Sequence, residues 1–146
     1  MIEELCVSFI LLEAELITEK YYREQLDSLF LHDLENELIL NLEFAYSNLD
    51  EVQTLISEYF FKEKNNFDYE IFGKILLEEM SKVYKQGLLN INVFCEGAYR
   101  LWCLLPEEIS DKEPFLWLVT AGDCLSYGDE FGERERFDKI FSYDWK

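Results

Sequence analysis

The chain has 146 residues, enough for one domain, and 49% of them are hydrophobic. A domain of this size buries roughly 70% of its unfolded surface, so its core needs no metal ion or disulfide. The chain has 31 acidic and 13 basic residues and a net charge of -18. This balance excludes direct nucleic-acid binding, because phosphate contacts require Lys and Arg, and it disfavours an anionic membrane. The negative charge favours encounters with a basic protein partner. The competing explanation of this charge is that it only keeps the protein soluble.

The first twenty residues resemble neither a signal peptide nor a membrane span, because Glu3, Glu4, Glu13 and Glu15 flank or interrupt a short apolar run. The four cysteines form no CxxC pair, and the chain has one histidine. We therefore expect no metal ion, no cofactor and a cytoplasmic protein whose thiols stay free in an apolar core. The cysteines are Cys6, Cys95, Cys103 and Cys124.

Apolar residues recur at helical spacing along the first half of the chain. The first predicted helix covers 2–17, and Thr18 is suited to cap the second. A third is predicted over 33–46, and Asn48 caps a fourth over 49–63. Because Gly and Pro are scarce, the turn chemistry of a β-sandwich or barrel is missing.

The second half continues the helical pattern. Asp68 opens a helix that stops at Gly87, a residue that tolerates the left-handed conformation of a helix C terminus. Further helices are predicted over 91–105, 115–126 and 130–141, the first ended by Pro106 and the second begun at Pro114. The fold class is therefore all-α: a compact bundle of about seven to eight helices with short loops, forming a single domain over 1–146.

The segment 91–105 is apolar on nearly all sides, which predicts a helix at the centre of the bundle. Its polar residues include Glu96 and Arg100, which are four positions apart. We expect these two side chains to form an ion pair along a narrow exposed strip.

No residue pattern indicates a catalytic site, so we expect a protein that is not an enzyme. A Ser or Cys nucleophile needs a neighbouring base, and the one histidine is His32. There is no Glu-x-x-His motif and no Gly-rich phosphate loop. An EF-hand loop begun at Asp123 would place Leu125 and Arg134 at ligand positions, and is rejected. Accidental carboxylate pairs leave an enzyme open as a minor alternative.

Acidic residues are concentrated in two stretches. From Glu24 to Phe61 there is no Lys or Arg, and from Leu101 to Glu133 only Lys112 opposes eight acids. Solvated helix faces usually mix signs, because ion pairs four residues apart stabilise them. The missing cations therefore point to a partner that supplies them, with solubility as the alternative.

The segment 33–46 carries one candidate binding face. Apolar side chains lie among acids on the side opposite its core stripe, an arrangement typical of a small protein interface. Coverage by another helix is the alternative. The candidate residues are Asp33, Glu37, Leu40, Glu43 and Phe44.

A second candidate face lies near the C terminus. Asp123 stands in an otherwise apolar segment, where it either accepts structural hydrogen bonds as a buried carboxylate or joins an acidic–aromatic patch that receives Arg or Lys. Arg134 and Arg136 are expected to form internal salt bridges. The other candidate residues of this patch are Tyr127, Asp129, Glu130 and Glu133.

The whole-chain profile resembles the small helical immunity proteins of bacterial contact-dependent growth inhibition and polymorphic-toxin systems. The resemblance lies in size, acidity, helicity and acidic–aromatic runs such as LHDLENELILNLEFAY (31–46) and CLSYGDEFGERERF (124–137). It implies a cytosolic inhibitor that covers the cationic cleft of a basic toxin, favoured as a nuclease domain. The alternative is an acidic adaptor, or a DNA mimic that engages a nucleic-acid-binding protein. The sequence leaves the oligomeric state open.

Overall fold

In this computed structural model of the protein, the described residues are 2–32, 50, 51, 54 and 67–145. Every regular element within these ranges is helical, which confirms the all-α bundle. The elements are α1 (Ile2–Glu13), α2 (Glu19–His32), α3 (Tyr69–Gln86), α4 (Ile91–Leu104), α5 (Glu107–Ser110), a 3₁₀ helix (Phe115–Thr120), α6 (Asp123–Ser126) and α7 (Glu130–Phe141).

The first candidate face lies outside the described residues. This applies to the predicted helix over 33–46 and to most of the one over 49–63, of which residues 50, 51 and 54 are helical. The five residues of that face remain sequence-based candidates: Asp33, Glu37, Leu40, Glu43 and Phe44.

Side-chain caps set the beginnings of the long helices. Thr18, Asp68, Asn90 and Asp129 each accept a hydrogen bond from the backbone N–H three residues further on, at 2.8–3.1 Å. Each such cap contributes about 1 kcal/mol to stability. Gly87 ends α3 with φ of 68°. The starts predicted at Thr18 and Asp68 and the stop at Gly87 are therefore confirmed.

The helix predicted over 2–17 ends earlier, at Glu13. Glu15 has φ of 60°, a left-handed conformation in which glycine is the usual residue. Its N–H donates to Leu12 O at 3.0 Å, and the N–H of Leu16 donates to Leu11 O at 2.9 Å. These two bonds form the Schellman pattern that ends a helix. No glycine marks the position, which is why the pattern of apolar residues extended the helix too far.

The core is continuous across the described helices, and aromatic rings join three of them. Tyr84 of α3 and Phe94 of α4 are 5.2 Å apart between ring centroids, and Phe94 is 4.9 Å from Phe137 of α7. Phe141 completes this cluster. Burying each such ring contributes about 2–3 kcal/mol, so the cluster holds α7 firmly against α3 and α4.

The position of α4 differs from the prediction. Phe94 and Leu101 are buried, but Val93, Tyr99 and Leu104 are exposed, so α4 is not enclosed on all sides. The predicted Glu96–Arg100 pair was wrong, because Arg100 donates to Ala14 O at 2.8 Å and lies 3.8 Å from a carboxylate oxygen of Glu15. The turn after α1 supplies these acceptors, and sequence spacing within α4 could not reveal them.

The segment predicted as one helix over 115–126 is divided. A 3₁₀ helix begins after Pro114, and Gly122, with φ of 95°, separates it from α6. The short α5 between Pro106 and Pro114 was not predicted. The second candidate face begins at Asp123, directly after this left-handed residue.

Candidate functional site

The loop between α6 and α7 presents most of the second candidate face to solvent. Tyr127 is 88% exposed. Asp123, Asp129 and Glu130 are exposed as well. The cap at Asp129 orders the start of α7, because its carboxylate accepts from Gly132 N–H at 2.8 Å. That hydrogen bond leaves the negative charge of the carboxylate in place.

A second aromatic side chain, missed in the sequence, belongs to the same surface. Phe131 in the first turn of α7 is 78% exposed. It lies two and a half helical turns from the buried Ile140 and therefore on the opposite side of α7. That spacing could have revealed it. We call the five residues Asp123, Tyr127, Asp129, Glu130 and Phe131 the acidic–aromatic surface.

The sequence left two environments open for Asp123 and placed Glu133 at the surface. Asp123 is exposed, so its interpretation as a buried carboxylate was wrong. Glu133, expected at the surface, is only 1% exposed and accepts a hydrogen bond from Gly122 N–H at 2.7 Å. A buried carboxylate needs such a donor to replace water. Glu133 therefore joins α7 to the bend before α6 and does not face a partner.

The two arginines of α7 make internal contacts. Arg134 lies 3.6 Å from a carboxylate oxygen of Glu130, which confirms one expected ion pair. Because this pair is exposed and four residues apart, it contributes little stability. Arg136 donates instead to Thr120 O at 3.4 Å and approaches Cys124 Sγ at 3.7 Å. Its expected salt bridge is thus replaced by contacts with the 3₁₀ helix and α6.

A shallow cavity of about 390 Å³, wide open to solvent, lies beside the acidic–aromatic surface, between α4 and the segment that carries α6. Among the described residues that line it, one carries a carboxylate, one carries an aromatic ring and none is Lys or Arg. The lining residues are Asn92, Cys95, Glu96, Tyr99, Ala121, Gly122, Leu125 and Ser126.

The four cysteines are free thiols that lie in different environments. Cys6 and Cys95 are buried free thiols, as expected for core residues, but Cys103 is exposed. Burial, and then the nearby charge of Glu133, raises the pKa of Cys95 to about 12. No group of three or more His, Cys, Asp or Glu side chains is arranged to hold a metal ion among residues 2–32, 50, 51, 54 and 67–145.

The chain matches no protein-family model, no curated protein and no solved structure. Along the part of the chain that the structure describes, no helix has both the length and the apolar composition of a membrane span.

Proposed function

We propose that this protein is an immunity protein: an inhibitor, not an enzyme, that binds a basic toxin in the bacterial cytoplasm and covers its cationic active-site cleft. A nuclease domain is the favoured toxin, because a cleft that holds phosphates is lined with Lys and Arg. The observation that carries the proposal is the acidic–aromatic surface, with two almost fully exposed aromatic rings among carboxylates.

Exposed rings among charges have the composition of a protein-binding hot spot. Tyr and Phe supply large apolar areas with few rotatable bonds, and single anchors of this type typically contribute about 2 kcal/mol to binding. In the free protein the apolar surfaces of the Tyr127 and Phe131 rings are exposed to water, which is energetically unfavourable. A partner that covers both rings removes this cost.

The charge of the surface selects the partner. Asp123, Asp129 and Glu130 present three carboxylates, and within the described ranges Arg134 is the one cation that forms an ion pair with any of them. The chain as a whole carries -18. Such a field accelerates association with a cationic protein and repels nucleic acid.

The surface is also held in place before binding. The Asp129 cap, the Glu133–Gly122 hydrogen bond and the ring contact between Phe94 and Phe137 fix α7 relative to α4 and α6. Preorganised carboxylates lose little conformational entropy when a partner docks.

The test begins with capture of binding proteins from the source cells at low salt, followed by mass spectrometry and assays on the purified partner. We expect one basic polypeptide whose enzymatic activity disappears when this protein is added, with affinity that falls as salt increases. Tyr127→Ala combined with Phe131→Ala removes two anchors of about 2 kcal/mol each and should weaken binding about 1,000-fold. Leu88→Ala is the matched control, because Leu88 is also highly exposed but lies between α3 and α4.

Charge reversal provides the second comparison. Asp123→Lys should weaken binding, whereas Asp27→Lys, the same change at an exposed site on α2, should have little effect. Capture of no basic polypeptide, or wild-type affinity for the double variant, would contradict the proposal. A captured nucleic-acid-binding protein that is not a toxin would establish the DNA-mimic alternative instead.

A further inference from the structure

The cavity between α4 and α6 has the composition of a receptor for one cationic side chain. Its single charged lining residue is Glu96, on the exposed side of α4. Tyr99, 46% exposed, stands one turn further along the same helix. An aromatic ring beside a carboxylate is a favourable environment for a cation, because the ring face and the carboxylate both carry negative potential.

The arginines of α4 and α7 make contacts with groups other than Glu96. Arg100, the expected partner of Glu96, reaches instead to Ala14 O and Glu15. Arg134 lies beside Glu130, and Arg136 donates to Thr120 O. Within the described ranges Glu96 forms no ion pair with a cation of α4 or α7, so its carboxylate can act as the counter-ion of a cation from outside.

The polar groups of the cavity favour a guanidinium over an ammonium. Ser126 uses its hydroxyl proton on Asp123 O at 2.6 Å, so the lone pairs of its oxygen can accept a hydrogen bond. Asn92 adds a side-chain carbonyl that can accept as well. Several acceptors spread around one cavity match the five fixed N–H donors of arginine better than the point charge of lysine.

The aromatic wall is fixed in advance. The rings of Tyr99 and Trp102 are stacked, with centroids 6.3 Å apart and planes inclined by 29°. Trp102 is itself anchored, because its indole N–H donates to Ser110 O at 3.0 Å. A planar guanidinium can stack on a tyrosine ring that is held in this way.

We propose that this cavity receives an arginine side chain of the basic protein partner, with Glu96 as its counter-ion and Tyr99 as its stacking surface. The inference rests on the proposed function for the identity of the partner. The cavity adjoins the acidic–aromatic surface, because Ser126 lines the cavity and Tyr127 is the next residue. One docked protein can therefore cover both, and the arginine fixes its orientation.

The experiment uses N-acetyl-arginine methylamide as the probe, so it does not depend on finding the partner. The probe is titrated into the full-length ¹⁵N-labelled protein, and amide shifts are followed by NMR. We expect saturable, millimolar binding with the largest shifts at Glu96, Tyr99 and Ser126. N-acetyl-lysine methylamide should bind about threefold more weakly, because it lacks the planar fork of donors.

Two substitutions test the named roles. Glu96→Gln removes the charge and keeps the shape, and it should weaken probe binding about fivefold. Tyr99→Ala should weaken it similarly, whereas Glu107→Gln, the same loss of charge on the exposed side of α5, should leave it unchanged. Equal binding of both probes, shifts spread evenly over the acidic surface, or unchanged binding to Glu96→Gln would overturn the proposal.

The two proposals can fail separately. If the probe binds at the cavity but no basic partner is found, the arginine site is supported and the inhibitor function is contradicted. If a basic partner is found and Glu96→Gln and Tyr99→Ala leave its affinity unchanged, the inhibitor function is supported and the arginine site is contradicted.

Discussion

Replacing the buried Glu133 tests whether this residue is structural rather than part of the binding surface. Glu133→Ala removes a charge-assisted hydrogen bond of 2.7 Å and leaves the Gly122 N–H without its acceptor. Losing such a bond costs about 1.5–3 kcal/mol, and the vacated volume adds to this cost. We expect the free energy of unfolding to fall by about 2–4 kcal/mol, which lowers Tm by roughly 5–15 °C in a chain of this size.

The assay is urea unfolding followed by circular dichroism, with two comparisons. Glu133→Gln keeps an oxygen that can accept from Gly122 N–H, so it should cost about 1 kcal/mol. Glu130→Ala removes an exposed carboxylate from the same turn of α7 and should cost about 0.5 kcal/mol. If Glu133→Ala is as stable as Glu130→Ala but loses the partner, Glu133 is a binding residue and the structural argument is refuted.

Three further predictions concern the helix ends and the core. Glu15→Gly should raise the free energy of unfolding by about 1 kcal/mol, because glycine adopts the left-handed conformation at φ of 60° without strain. If urea titration shows a lower free energy of unfolding instead, the ion pair between Glu15 and Arg100 outweighs that strain. Gly97→Ala should destabilise the protein by about 1–2 kcal/mol, because the added Cβ would lie 2.5 Å from Leu16 Cδ2. A rise in Tm would show that the Leu16 side chain moves aside without cost. Stability should fall as pH rises from 9.0 towards 12, because the Cys95 thiol ionises near 9.0 when unfolded and near 12 when folded. Cys95→Ala should reduce this slope in urea titrations at each pH, and an unchanged slope would argue against the raised pKa.

The long helices could be predicted from local chemistry. Thr18 and Asp68 carry the side-chain acceptors that helix starts require, and Gly87 carries the freedom that a helix end requires. These effects act within one or two turns, so the sequence alone was sufficient for them. The all-α class followed for the same reason, together with the apolar periodicity.

The candidate surface was only partly readable from the sequence. Tyr127, Asp129 and Glu130 are exposed where a loop and a helix start were expected, and Asp123 takes the exposed one of its two predicted environments. Glu133 was expected at the surface and is buried. Which of two nearby carboxylates becomes buried depends on the bend at Gly122 and on the packing of α7, and neither is encoded in local spacing.

Sequence by itself determined the acidity, the helical class, the capped helix starts and the absence of recognisable catalytic motifs. Tertiary structure alone decided which side chains share a surface. It brought the turn after α1 to Arg100 and thereby left Glu96 free of its local partner, and it placed Tyr99 and Ser126 around one cavity. The physical reason is range: capping and periodicity act between neighbours in the chain, whereas burial and ion pairing depend on which distant elements pack together.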